Sequence, residues 1–251
     1  MISTAPRSLG QGSVLEARRA MTQSAPTAAP LTRWVKQLIV RRLSQGLPAE
    51  IPMVDPADAG TEAQVLLLLE APGPMTNAQN ARAGSGFISS DNNDATAENL
   101  WRARQDTGLV GRTLLWNIVP WYLGPASNKP KVADLCEGAG DLRELIAMLP
   151  ELHTVVTLGH FPRRGWSRFG RPGLGIGIRT IESWHPSPLA MNQPGKRDEM
   201  HAALARASRD WRRDDAGGRE TFSQRDRSGQ TVARWYFTAD GDRVDVHPRW
   251  W

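Results

Sequence analysis

The sequence predicts an α/β protein, with a short, mainly parallel sheet covered by helices on both faces. Two observations lead there. Strand-like apolar runs alternate with helical repeats from about residue 64 to residue 213. Three of those runs end directly in a polar motif, and ligands of open α/β sheets bind outside the carboxyl ends of strands.

Residues 1–30 are rich in Ala, Ser, Thr and Pro and read as a flexible arm. Leu31, Trp34, Val35, Leu38 and Ile39 then recur on one helical face, and Gly46 and Pro48 end that helix. The first strand is expected at 64–69. A long loop, 70–93, is rich in Gly, Asn and Ser; loops of that length inside a domain are usually functional or disordered. A helix follows at about 95–106, with Asp94 or Thr96 as N-cap. The second strand lies at 113–118, a helix at 132–148, and Thr154–Leu158 is a third strand stopped by Gly159. A short helix at 162–169, a strand at 177–184 and a helix at 195–213 complete the alternation. Beyond residue 219, two β-rich runs flank Asp240-Gly241, which is a hairpin signal. The expected organisation is therefore an arm over 1–30, an α/β domain over 31–215 and a C-terminal β extension over 219–251.

The 251 residues suffice for one α/β core with extensions. A hydrophobic fraction of 40% fits a soluble globular chain, and no apolar run is long enough to span a membrane. The N-terminal residues lack a secretory pattern, so cytoplasmic residence is the expectation. One cysteine, Cys136, excludes an intrachain disulfide framework and an all-cysteine metal or iron–sulfur site. A formal net charge of +5 is compatible with a polyanionic partner, although runs such as Arg209–Asp215 mix both signs, as a solvated helix face does. The ten tryptophans are expected as core or interface anchors.

The three strand-end motifs are Glu70-Ala71-Pro72-Gly73-Pro74-Met75, Asn117-Ile118-Val119-Pro120-Trp121 and His185-Pro186-Ser187-Pro188-Leu189. Together with Phe87, their order and spacing resemble the uracil-DNA glycosylase superfamily over about residues 65–205. The resemblance implies a three-layer α/β/α fold, here with an added N-terminal helix and C-terminal β-hairpin. It also implies a monofunctional hydrolase that removes a flipped base from DNA, needs no cofactor or metal, and works as a monomer. By the same likeness, Ala71, Pro72, Gly73, Phe87 and Asn117 surround the base, and Phe87 stacks on it. The chain departs from the best-known branch, which has Asp at the position of Ala71 and Tyr at that of Gly73. A Glu stands at the position of Glu70 in the iron–sulfur branch, whose cluster cysteines this chain lacks. The run Pro72–Met75 is nearer to the single-strand-selective branch.

The implied chemistry matches the residue types. Negative charge builds on the O2 of uracil as the glycosidic bond stretches, and His185 is the candidate donor to it. Asn117 offers an acceptor and donors that suit the N3–H and O4 of uracil. Glu70 is the candidate to orient water and stabilise the sugar cation, with Asn77, Asn80, Asp91 and Asp94 as other polar candidates. Ser187, Pro188 and Lys196, with Arg197 beside it, are expected against DNA. Leu189 is the wedge that fills the place of the flipped base, and Met191 is its spare. Each residue also has a structural alternative: a capping loop histidine, a turn asparagine, a core phenylalanine, a strand-end ion pair. Two other functions stay open. Ala71 motivates a catalytically silent nucleic-acid-binding protein on the same scaffold. A nucleoside hydrolase is the third, although no Gly-x-Ser-x-Gly elbow supports it.

Overall fold

The computed structural model describes residues 4–76, 84–124, 128–172, 174, 177–209, 222–225, 230–237 and 241–245. The start of the chain departs from the expected arm. Gly12–Ser24 forms a helix, α1, followed by α2 at Ala29–Ser44. Helix α1 is anchored by one side chain. The Arg18 guanidinium is buried and donates to both oxygens of Asp55 at 2.6 Å and to Asp91 at 2.7 Å. A buried arginine is tolerated when carboxylates pair with it, and here they do so from positions 37 and 73 residues away. The neighbouring composition carries no trace of that anchor.

Strand β1 (Met53–Val54) precedes β2 (Val65–Leu69), and β3 (Phe87–Ile88) pairs in parallel with β1 as a small ribbon of its own. Helix α3 (Ala95–Asp106) starts where Asp94 accepts the Ala97 N–H at 2.9 Å, the cap expected from the sequence. Strand β4 (Thr113–Asn117), helix α4 (Val132–Ala147), strand β5 (Thr154–Leu158) and helix α5 (His160–Gly165) follow, and a π-turn at Trp166–Gly170 extends α5. Strand β6 (Arg179–Ser183), the single-turn α6 (Pro188–Met191) and α7 (Lys196–Ser208) complete the alternation. Beyond them lie β7 (Phe222–Arg225), β8 (Thr231–Phe237) and β9 (Arg243–Asp245).

The main sheet runs β4-β2-β5-β6-β9-β8-β7. The first four strands are parallel, and β9 joins the edge of β6 in the antiparallel sense. Strands β8 and β9 pair antiparallel around residues 238–242, which fits the hairpin signal. Alternation along each strand separates the helical layers. Trp116 faces Trp34 of α2, their rings 5.2 Å apart, and Trp34 and Arg41 of α2 bond Glu144 of α4. Thr113, of opposite parity on β4, accepts from Arg104 of α3, while Arg179 of β6 donates to the Arg206 carbonyl of α7. Helices α2, α4 and α5 thus cover one face, and α3 and α7 the other. The strands β2, β4 and β5 carry almost wholly buried side chains, as parallel strands covered on both faces must.

Polar anchoring extends along the loop before α3. Ser89 donates to Asp55, and Ser90 accepts from Arg104 at 2.8 Å. Arg104 in turn bonds Asp58 at 2.8 Å. Replacing Arg18 with Met would leave the Asp55 and Asp91 carboxylates buried without their cation. The expected loss is about 3–5 kcal/mol of stability, to be measured by urea unfolding. A loss below about 1 kcal/mol would show that α1 is dispensable to the fold.

Candidate functional site

Strand register brings the three motifs to one level. Leu69 is opposite Asn117, Leu68 opposite Thr157, and Leu158 opposite Ser183. Glu70 and Gly159 therefore leave the sheet side by side, with Asn117 one strand away and His185 two residues past Ser183. The chain leaves β2 toward β4 but leaves β5 toward β6. A crevice belongs between the carboxyl ends of two such strands.

His185 lies over the β5 side of that crevice. Gly159 has φ +105°, and a Cβ on it would come within 3.0 Å of the His185 Cβ, so only glycine lets the imidazole sit there. The Ser187 backbone N–H donates to His185 Nδ1 at 3.2 Å. That N–H can only donate, so Nδ1 accepts and the ring proton belongs on Nε2. Nε2 has no partner among the described residues. Burial holds the imidazole pKa below its usual value; the nearby Glu70 carboxylate opposes that shift and the Lys129 ammonium reinforces it. The ring is neutral at pH 7.

Asn117 is buried, and its carboxamide has no hydrogen-bond partner among the described residues. Its backbone is held tightly. Ile118 N–H donates to the Leu69 carbonyl at 2.8 Å, and Gly138 of α4 lies so close to the Ile118 carbonyl that no Cβ would fit. Phe87 is buried yet stands apart from the main hydrophobic cluster. Ser85 and Asn92 fix its backbone: Phe87 N–H donates to Ser85 Oγ at 3.0 Å, and Asn92 Nδ2 donates to the Phe87 carbonyl at 3.0 Å. Ala71 packs against the core, Pro72 is buried, and Gly73 is exposed, with no atom of the described residues within 4 Å of where a side chain would project. Glu70 is half-buried and pairs with Lys129, Nζ to Oε1 3.0 Å. Lys129, in the loop before α4, was not among the sequence candidates. Its place beside Glu70 is a contact across 59 residues that no local pattern announces.

The loop after β6 projects Leu189 outward, 82% exposed. Met191, expected as the spare wedge, is instead only 4% exposed and belongs to the core cluster. Its place on the inner side of the α6 turn rules out that role. Pro188 is the exposed first residue of α6, and the half-buried Ser187 hydroxyl has no partner among the described residues. Lys196 Nζ rests 3.9 Å from the centre of the Trp184 ring, so its charge is held beside the loop. Asn99 of α3 is a second residue that the sequence did not single out. Its Nδ2 donates to the Pro186 carbonyl at 2.8 Å while its Oδ1 accepts from Arg197 at 3.1 Å, tying the loop to α3 and α7.

The remaining polar candidates divide simply. Asp91 is bound to Arg18 and Asp94 caps α3, so both serve the fold. Asn77 and Asn80 lie outside the described residues. Among the described residues, no three His, Cys, Asp or Glu side chains are grouped to hold a metal ion, and no helix is long and apolar enough to cross a membrane. Gly159→Ala tests the packing beneath the imidazole. It should destabilise the protein by about 1–3 kcal/mol and shift the His185 ring resonances in NMR spectra. Unchanged resonances would show that the imidazole does not depend on that glycine.

No curated protein sequence matches the chain. Residues 57–208 match the family model of the Uracil DNA glycosylase superfamily, and they contain every strand end and site residue described above. The match covers more than half of the 251 residues. The chain belongs to the uracil-DNA glycosylase superfamily, whose members are generally hydrolases acting on DNA.

Proposed function

We propose that the protein is a monofunctional DNA glycosylase that hydrolyses the N-glycosidic bond of uracil, or of a related deaminated or 5-substituted base, flipped out of DNA. The observation that carries this reading is the fixed tautomer of His185. Its Nδ1 is occupied by the Ser187 N–H, so Nε2–H remains as a donor. Such a donor strengthens its bond as negative charge collects on O2 of the departing base, which is the condition for lowering the barrier. The unpartnered Asn117 amide is suited to read the N3–H and O4 edge. Phe87 supplies a face for stacking. In this reading Glu70 stabilises the sugar cation and accepts a proton from the attacking water. The C1′–N1 bond breaks with its electron pair leaving on the base. The water oxygen then bonds to C1′.

Leu189 is the apolar group that would fill the vacated stack, and Ser187, Pro188 and Lys196 lie beside it to meet the backbone. Gly73 itself carries no side chain, and among the described residues none stands within 4 Å of its Cβ position, so nothing described there guards C5 of the base. Uracils carrying a 5-hydroxymethyl group are therefore expected among the substrates.

The test is release of free base from oligonucleotides carrying uracil, 5-hydroxymethyluracil, hypoxanthine, xanthine or thymine, single- and double-stranded. His185→Ala is expected to lower the release rate about 100- to 1000-fold. Tight binding of uracil-containing DNA without release would favour the silent binding protein that Ala71 suggests. Release from free nucleosides alone would favour a nucleoside hydrolase. The pH profile gives a separate check. Burial lowers the His185 pKa, so the active neutral ring is the dominant form above about pH 6.5, the usual histidine value. Release should be level through neutral pH and fall only in the acid range, as Nδ1 gains a proton and the Ser187 bond is lost. A decline beginning above pH 7 would contradict the neutral donor.

A further inference from the structure

We propose that Lys129 is the counter-ion of Glu70 in the free protein and that a DNA phosphate draws it away, which exposes the Glu70 charge only when DNA is bound. The inference rests on the glycosylase reading for its consequence, but its geometry stands by itself. Lys129 Nζ is 3.0 Å from Glu70 Oε1, with the lysine side chain 57% exposed and the glutamate side chain 21% exposed. An ion pair this open to water contributes little, and one more strongly acceptor-rich partner suffices to break it. Lys129 leaves the sheet on the same side as the site, in the loop between β4 and α4. Both members of the pair act electrostatically on the His185 imidazole.

The arrangement has a specific consequence for substrate choice. While the pair is closed, the ammonium cancels much of the field that Glu70 would apply to a positive sugar. A phosphodiester next to the target nucleotide offers Lys129 a competing anion, and a free nucleoside does not. Lys129 thus makes the stabilising charge conditional on a polymer. The pair also keeps Glu70 from repelling the backbone during approach, when an uncovered carboxylate at the mouth would weaken the encounter.

A double-mutant cycle on binding tests this without relying on turnover. The probe is a single-stranded oligonucleotide bearing 2′-fluoro-2′-deoxyuridine, which resists cleavage, and its dissociation constant is followed over a range of salt concentrations. Lys129→Gln should flatten the logarithmic salt slope by about 0.7, the value for one single-strand phosphate contact. Glu70→Gln should tighten binding about twofold to fivefold by freeing the lysine, on the scale of one exposed ion pair. That gain should shrink, to the part owed to repulsion between Glu70 and the backbone, when Lys129 is already glutamine. Additive effects in the cycle, or a salt slope that Lys129→Gln does not change, would overturn the exchange. With a cleavable uracil oligonucleotide, Lys129→Gln should raise KM and leave the saturating single-turnover rate equal to wild type or higher; a fall in that rate at unchanged KM would also overturn it. If the wild-type protein releases no base from any substrate, the glycosylase reading fails, and the binding cycle still decides whether Lys129 moves to phosphate.

Discussion

Everything at the site depends on the parallel register of β4, β2, β5 and β6. Parallel neighbours are held by evenly spaced hydrogen bonds, and a slip of one residue would turn every side chain to the opposite face. The apolar side chains of β2, β4 and β5 are buried on both sides, which makes such a slip there prohibitive. The amide of Asn117, the carboxylate of Glu70 and the imidazole of His185 thus inherit their relative heights from the sheet. Local devices then refine them: Gly138 lets α4 close on the Ile118 carbonyl, and Gly159 makes room for the imidazole.

The polar groups of the long loop differ in how firmly they are held. Asp91 and Asp94 lie near the site in sequence, yet one is consumed by Arg18 and the other by the start of α3. Glu70 differs because its partner, Lys129, is largely exposed to water. Among these three carboxylates, it alone has a partner that solvent or a ligand can replace. The same contrast separates Leu189 from Met191. They lie two residues apart on one helical turn, one directed to solvent and the other into the core.

Much of this was legible in the sequence because it is written in local patterns. The four parallel strands fall within a few residues of their expected places, and Asp94 caps α3 as its position suggested. The strand-end motifs announced Glu70, Asn117 and His185 because each directly follows an apolar run. What was not legible arises from contacts between distant segments. Helix α1 has few buried side chains, so it lacks a strong periodic signal; a single arginine secures it. The ribbon of β1 and β3 has only two residues per strand, too few for an alternation to show. Lys129 and Asn99 act through partners 59 and 87 residues away. Met191 was misread because a four-residue helix shows no face until its neighbours are known.

The anchoring of α1 also bears on how the chain can be divided. The segment shared with the superfamily begins at residue 57, whereas Arg18 reaches across that boundary to Asp91, within the loop that holds Phe87. The shared segment in this protein thus takes the counter-ion of a buried carboxylate from outside itself. Excised at the family boundary, it would carry the buried Asp91 carboxylate without its cation. Moving this segment into another protein would require bringing α1, or another cation for Asp91, along with it.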